Sequence, residues 1–366
     1  MNLGGTVRIS RCGMLTLFGL CVLIIVYYVA TNHQVKGSLA NTLKSQLRFN
    51  KKPQDKFVDM GRLLAVAIEV AERGGNVVKQ VRRDSDLNLK SKGKTREGVI
   101  NPVTDGDMRS HYEMYFGLKK MFPQLTVISE EHMHPTAVHP DILPISGHNA
   151  EVERLTITEL DDPVQMDDIT VWIDPLDATK EYSENKLQYV TTMVCVAVRG
   201  EPVMGVIHQP FKQDTGVTYW AWAERGHSQT LKLGKQPEFT SSQLPDPLKV
   251  LVSMSHTGGK TEVLAKKAFG ESTKIVPAAG AGYKALATLW GEGDVYLHTT
   301  LIKKWDTCAP NAILRAMGGK MTTLSGQTIN YAAREEDKKE KIEDGLLGAA
   351  FFHNLLLEKV KKAQQT

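Results

Sequence analysis

Asp174 and Asp177 stand three residues apart where an apolar run breaks at a proline, in the segment Val171-Trp172-Ile173-Asp174-Pro175-Leu176-Asp177-Ala178-Thr179. Carboxylates so spaced at a strand end are the oxygen donors that a hard divalent cation takes. Mg²⁺ accepts a few acidic side chains and a backbone carbonyl, and it completes its octahedron with water or phosphate oxygens. Leu176, between the two aspartates, offers such a carbonyl. Thr179 opens a predicted helix whose first N–H groups suit an anion such as phosphate. Alone, the segment reads equally well as an Asp-Pro turn with an N-cap threonine, because such turns are common.

Three more acidic positions fall where elements are predicted to begin or end. Asn101-Pro102-Val103-Thr104-Asp105-Gly106-Asp107 leads into a helix, Ile128-Ser129-Glu130-Glu131 closes a strand, and Lys303-Lys304-Trp305-Asp306-Thr307-Cys308-Ala309-Pro310 opens another helix. Each has an ordinary explanation as a cap or turn, Asp306 as an N-cap among them. Together, in this order, they point to a divalent-cation site assembled from several element ends.

The elements that must position these groups are legible. Ile169 to Ile173, rich in β-branched and aromatic residues, predicts a buried strand ending at Asp174-Pro175. Apolar residues at helical spacing predict a helix over Val58 to Lys79, and a second spans Met108 to Met121. Between them the basic run from Lys79 to Gly98 reads as a solvated loop or hairpin, or as a flap whose positive field draws in an anion. His132 to Asp168 reads as a long surface insertion. Strands follow at Leu125 to Ser129, Val190 to Val198, Pro202 to His208 and Val217 to Ala223. Beyond Pro247, strands (Lys249 to Ser253, Lys274 to Val276, Val295 to His298) alternate with helices (Lys260 to Phe269, Gly282 to Trp290, Asp306 to Met317), which predicts an α/β fold.

With 366 residues and 42% hydrophobic content, the chain can bury one large core or two smaller ones. The 45 lysines and arginines against 41 acidic residues leave +4, too little to argue for a nucleic-acid polymer as partner. Of the four cysteines, Cys12 and Cys21 accompany the apolar N-terminus, and Cys195 reads as a buried small hydrophobe. Spacing leaves open whether Cys195 meets Cys308. Met14 to Ala30 carries no charge, follows Arg8 and Arg11, and lacks a small-residue exit, so it predicts an uncleaved membrane anchor rather than a signal peptide. The expected organisation is a cytoplasmic tail at 1–13, a transmembrane segment at 14–30, a stalk at 31–56, an α+β metal-binding subdomain at 57–240 and an α/β nucleotide-binding subdomain at 241–366. The span is at the short end of the roughly 17 to 25 residues that cross a bilayer, which suits the thinner membranes of the early secretory pathway or Golgi.

From about residue 57 onward, the ordered segments around Asp107, Glu130-Glu131, Asp174 to Thr179 and Trp305-Asp306 resemble the inositol monophosphatase superfamily. That resemblance implies a layered αβαβα sandwich of the inositol monophosphatase/fructose bisphosphatase type, and lithium-sensitive hydrolysis of phosphomonoesters with two or more Mg²⁺ ions. It assigns metal ligation to Glu130, Asp174, the Leu176 carbonyl, Asp177 and Asp306, and a water-activating dyad to Asp107 and Thr179, with Asp107 preferred over Asp105 by its spacing to Glu130. Glu131 would lie just outside the ligand set. Ser253-Met254-Ser255-His256 and Gly280-Ala281-Gly282-Tyr283-Lys284 are similar to the 3'(2'),5'-bisphosphate nucleotidase branch. This implies substrate contacts from Ser253, His256, Gly280 and Lys284, with Lys284 at a 5'-phosphate, and adenosine 3',5'-bisphosphate as substrate. An inositol phosphate or a broader range of small phosphomonoesters is the alternative, and a non-catalytic anchored binding protein a more distant one. Members of the superfamily are often dimers. With the anchor, the resemblance implies a Golgi membrane protein of type II topology with a lumenal catalytic body. Ala178 departs from the family's usual glycine, at a cost if that position needs a positive φ.

Overall fold

Strand alternation and helix periodicity lay down the elements, seen in a computed structural model that describes residues 56–365 apart from 85, 95–97, 99, 133–141, 156–163, 235–243, 255–258 and 334–339. The predicted tail, the anchor and all of the stalk but Lys56 lie outside the described residues, and among the described residues no helix is long and apolar enough to cross a membrane. The first half comprises β1 (Phe57–Val58), α1 (Met60–Arg83), β2 (Lys90–Lys94), β3 (Ile100–Val103), α2 (Asp105–Met121), β4 (Thr126–Ser129), β5 (Val164–Gln165), β6 (Ile169–Asp177), α3 (Thr179–Ser183), β7 (Thr191–Val198), β8 (Glu201–Gln209), β9 (Val217–Trp222) and β10 (Gly226–His227). The second half adds β11 (Lys249–Ser253), α4 (Lys260–Phe269), β12 (Lys274–Ala278), α5 (Ala281–Trp290), β13 (Val295–His298), β14 (Ile302–Lys303), α6 (Lys304–Ala316), β15 (Lys320–Thr323), β16 (Lys341–Ile342), β17 (Leu346–Ala349) and α7 (His353–Gln365).

Two sheets organise the body. One has the order β10-β9-β8-β7-β6-β4, antiparallel except for the parallel β4–β6 pair, and the other has the order β12-β11-β13-β17-β15. Period-two alternation decides what each face meets. Ile169, Val171 and Ile173 of β6 and Val194 and Val196 of β7 pack under α1 and α2. Trp172, Met193, Cys195 and Ala197 turn the opposite way, onto α5 and α6. In the second sheet Leu251 and Tyr296 join that same central layer, whereas Val250, Val252, Val295 and Leu297 face α4 and α7. The layers therefore run α1/α2, sheet, α5/α6, sheet, α4/α7, the expected αβαβα sandwich.

Three details differ from the sequence reading. The central strand does not stop at Asp174-Pro175: β6 continues to Asp177, with Asp174 opposite Met193, Asp177 opposite Thr191, and a register shift between. A bulge removes the need for the N–H that Pro175 lacks, and it re-aims the carboxylates flanking it. The supposed surface insertion contributes to the core, because Ile145 and Val152 pack on α1 and Glu69 accepts the Ser146 and Gly147 N–H groups at 3.0 and 3.1 Å. Cys195 is not an isolated hydrophobe: β7 faces α6, and Cys195 is disulfide-bonded to Cys308 across a Cα separation of 5.6 Å.

Ala178 takes φ 69°, ψ 44°, the left-handed region that a β-carbon disfavours. Ala178→Gly relieves that strain, partly offset by the greater entropy glycine loses on folding, for a net gain of about 0.5–1 kcal/mol. A melting temperature raised by about 2 °C is the expected reading, and a fall would show the turn needs its β-carbon.

Candidate active site

The bulge in β6 and the N-termini of α5 and α6 meet at one edge of the central layer, beside a cavity of about 660 Å³. Alternation sends Asp174 toward this layer with Thr170 and Trp172. Asp174 is 1% exposed; its Oδ1 accepts the Leu176 N–H at 3.1 Å, and among the described residues its Oδ2 has no hydrogen-bond partner. Carboxylate oxygens of Glu130, Asp174 and Asp306 lie within 4.8 Å of one another. Glu130 is held at the end of β4 by its N–H donation to Ile173 O at 3.1 Å, and Asp306 in the first turn of α6 accepts the Lys303 N–H at 2.9 Å.

Burial raises the pKa of all three inner aspartates, and acidic neighbours add to the rise at Asp174 and Asp306. Asp174 is pushed well above the usual carboxylate range, with Glu130, Asp177 and Asp306 all contributing. Asp306 is pushed to about 8, and Asp177 is also raised, although Lys284 opposes that shift. An orphaned buried oxygen among mutually repelling carboxylates, all hard donors, is the surrounding a divalent cation relieves, and Mg²⁺ fits it.

Asp177 sits slightly apart. Its Oδ2 accepts the Gly282 N–H at 2.9 Å and lies 3.3 Å from the Thr191 hydroxyl, so one oxygen is already committed to the N-terminus of α5. Gly280 makes that approach possible: at φ 68° a β-carbon there would lie 2.9 Å from Asp177 Oδ2 and 2.8 Å from the Tyr189 carbonyl. The Leu176 carbonyl oxygen lies 3.1 Å from the Thr179 hydroxyl oxygen, and Leu176 borders the cavity.

Asp107 is 1% exposed in the first turn of α2. Its Oδ2 accepts the Thr104 N–H at 2.7 Å and hydroxyl at 2.6 Å, a capping box that also fixes its rotamer. Its Oδ1 accepts the Thr179 hydroxyl at 2.8 Å. Burial pushes its pKa up to about 7, against the Thr104 donations and with the Glu130 charge adding to the rise.

Ser253 borders the cavity from the end of β11, and His256 lies outside the described residues. Lys284 is 3% exposed, donates to the Gly280 carbonyl at 2.6 Å and lies 5.0 Å from the Tyr296 ring; burial lowers its pKa to about 8 even though Asp177 pulls it up. Other lining groups escaped the sequence reading. Tyr296 and His298 sit on what read as a plain strand, and Glu340 and Lys341 follow a stretch that gave no pattern. Lys92 was visible only as part of a basic run; the β2–β3 ribbon brings its ammonium to Glu130 at 2.9 Å and onto Glu131, and those carboxylates hold it strongly protonated.

These pKa shifts have a consequence for stability without metal. Asp107, Asp174 and Asp306 keep protons in the folded chain at a pH where the unfolded chain has lost them, so stability falls as pH climbs from about 4 toward 8. Buried His111 and His208, lowered to about 4 by burial, act oppositely, but only below the ordinary histidine range near 6.5. Between pH 6.5 and 8 in EDTA the melting temperature should therefore fall, and saturating Mg²⁺ should flatten that slope. A rising melting temperature in EDTA would contradict the clustering of the carboxylates.

The family model for the inositol monophosphatase family matches residues 59–365. Among similar curated proteins, inositol monophosphatase 3 of Danio rerio is 44% identical over 313 residues, covering 82% of this chain and 84% of that protein. The Golgi-resident adenosine 3',5'-bisphosphate 3'-phosphatase of Homo sapiens is 42% identical over 316 residues, covering 84% of this chain and 82% of that protein. Among solved structures, the extragenic suppressor protein suhB of Bartonella henselae superposes with a TM-score of 0.58 at 16% identity, over 82% of this chain and 98% of that one.

Proposed function

We propose that this chain, which belongs to the inositol monophosphatase family, is a Mg²⁺-dependent phosphomonoesterase that removes the 3'-phosphate of adenosine 3',5'-bisphosphate, giving AMP and phosphate. The observation that carries the reading is the unpartnered Oδ2 of buried Asp174, beside Glu130 and Asp306, with the Asp107–Thr179 hydrogen bond nearby. Glu130, Asp174, Asp177, Asp306 and the Leu176 carbonyl would hold the metal. Magnesium, when bound, supplies Lewis-acid polarisation of phosphoryl oxygens and activation of water.

The side chains account for the proton. Thr179 donates to Asp107 Oδ1, so its own oxygen is free to accept from the attacking water. As water attacks phosphorus and the bond from phosphorus to the ribose 3'-oxygen breaks, the water's proton passes to Thr179 and the hydroxyl proton to Asp107, while the departing oxygen takes its proton from solvent. Thr104 keeps that carboxylate oriented, and burial keeps its basicity near neutral pH, where a general base works well. Water is the nucleophile, so the reaction needs no covalent phosphoenzyme.

Relatives covering most of both chains are named for either activity, and the adenine nucleotide is put first because the segments Ser253 to His256 and Gly280 to Lys284 resemble the nucleotidase branch and the cavity is roomy enough for a nucleotide. A Golgi, type II, lumenal placement draws support from the apolar run before the body and from the Cys195–Cys308 disulfide, since such bonds persist in oxidising compartments. The test is phosphate release by the full-length protein from 3',5'-ADP and from inositol 1-phosphate, with Mg²⁺ and then with added lithium. A kcat/KM at least about tenfold higher for 3',5'-ADP, lowered by lithium, is expected. Equal or better turnover of inositol 1-phosphate would replace this substrate with the inositol one.

A further inference from the structure

Asp107 can take up a proton only if α2, which carries it, stands at the right distance from the two strands that carry Glu130 and Asp174. Asp107, Ser110 and His111 are three and four residues apart in α2, so they share one face of the helix over about 6 Å of its length. That face meets the parallel pair β4–β6. Ser110 Oγ donates to the Pro175 carbonyl at 2.7 Å, and His111 Nδ1 is hydrogen-bonded to Ser129 Oγ at 2.8 Å. Ser110, His111 and Ser129 are all buried.

Each bond lands beside the clustered carboxylates. Pro175 lies inside the bulge of β6, between Asp174 and Asp177, and Ser129 immediately precedes Glu130. Ser110 has one hydroxyl proton, and the carbonyl takes it in preference to the Met114 sulfur at 3.4 Å. From the other side α1 closes over the hydroxyl: a β-carbon at Gly74 would lie 2.6 Å from Ser110 Oγ, so glycine is what lets the two helices meet there. The carboxylates have other supports. All four residues of β4 pair with β6, Glu130 N–H reaches Ile173 O at 3.1 Å, and Asp306 comes from α6. What the two side-chain bonds set is the place of Asp107 relative to that group. A misplacement of about 1 Å between reacting groups costs about 10²-fold in rate.

We propose that Ser110 and His111 are positioning residues for the hydrolysis, acting through Asp107: Ser110 ties the helix that carries it to the bulge of β6, and His111 ties the same helix to the end of β4. This rests on the reading of Asp107 as general base given above and names what holds that base in register with the cation site.

The experiment measures kcat, KM and the Mg²⁺ half-saturation in the full-length protein, with whichever of 3',5'-ADP and inositol 1-phosphate is turned over faster. Ser110→Ala and His111→Phe are each expected to lower kcat about tenfold, with KM and the Mg²⁺ half-saturation unchanged within about twofold. Phenylalanine keeps a ring against Tyr115, on which His111 stacks at 5.3 Å, and loses the nitrogen. Added to Asp107→Asn, either substitution should cost less than about twofold more, because the helix no longer has a base to aim. Leu118→Val, two turns further along α2 and buried against α1, should lower the melting temperature by about 2 °C with kcat unchanged. An unchanged kcat in Ser110→Ala or in His111→Phe overturns the role given to that residue. Losses that multiply with that of Asp107→Asn, or an equal loss in Leu118→Val, overturn the proposal by making the effect one of general packing. A raised Mg²⁺ half-saturation at retained kcat also overturns it, by moving the role to the cation site. If Asp107→Asn alone keeps full turnover, the reading of Asp107 as base is what fails, and the proposal falls with it.

Discussion

Asp174→Asn is expected to lower turnover of 3',5'-ADP at least about 10³-fold while leaving a folded protein that no longer gains stability from Mg²⁺. The side chain is 1% exposed, and among the described residues its only hydrogen bond is the one Oδ1 accepts from the Leu176 N–H, so the amide can keep that contact and nearly the same volume. What it loses is the charge on the unpartnered oxygen shared with Glu130 and Asp306. Without metal Asp174 must take up a proton to be buried, and the amide removes the cost of that uptake, so in EDTA the variant should melt above the unsubstituted protein. Functional sites commonly carry such a trade between stability and activity. With saturating Mg²⁺ the order reverses, because the unsubstituted protein gains about 3 kcal/mol at a hundredfold excess over the dissociation constant and the variant does not. Melting curves with and without Mg²⁺, beside kcat, read all of this. Retained turnover, or a variant less stable in EDTA, would refute the role given to Asp174.

Asp107→Asn should cost about 10²–10⁴ in kcat, yet keep the Mg²⁺-dependent rise in melting temperature. Asp107 accepts from Thr104 and Thr179 and stands outside the group formed by Glu130, Asp174 and Asp306. Its loss therefore removes the proton's destination and leaves the cation's seat. Thr179→Ala should fall in the same range, and the double variant should be scarcely worse than Asp107→Asn alone, because two members of one relay fail as a unit. Independent, multiplying losses would separate Thr179 from Asp107, and a lost Mg²⁺ response would make Asp107 a metal ligand instead.

The strands and helices were legible wherever local periodicity carried them. Lys249–Ser253, Lys260–Phe269 and Val295–His298 have the bounds their patterns predict, and β6 differs only in crossing its proline on a bulge. The clustered acidic residues were legible because their residue types are demanding and fall at element ends. What escaped is whatever depends on elements distant in sequence. Nothing local pairs Cys195 with Cys308, brings Lys92 onto Glu130, or lays Lys341 opposite Lys303; each follows from the way layers and ribbons pack. Asp177 shows a subtler limit. Its spacing marks it as a ligand, but only the fold reveals that Gly282 already holds one of its oxygens.

The three clustered carboxylates do not hang from equally firm supports. Asp174 belongs to β6, hydrogen-bonded on both sides, and Asp306 to a helix tied to β7 through Cys308. Glu130 follows β4, four residues long, at the sheet's edge and paired in the sheet, among the described residues, with β6 alone. Edge strands open in local fluctuations that leave the rest of a domain intact, so amide hydrogens of Thr126 to Glu130 should exchange faster than those of Ile169 to Asp174. A cation held by these three carboxylates would then meet two rigid donors and one that breathes, and the breathing one would be its way in and out without the sandwich unfolding.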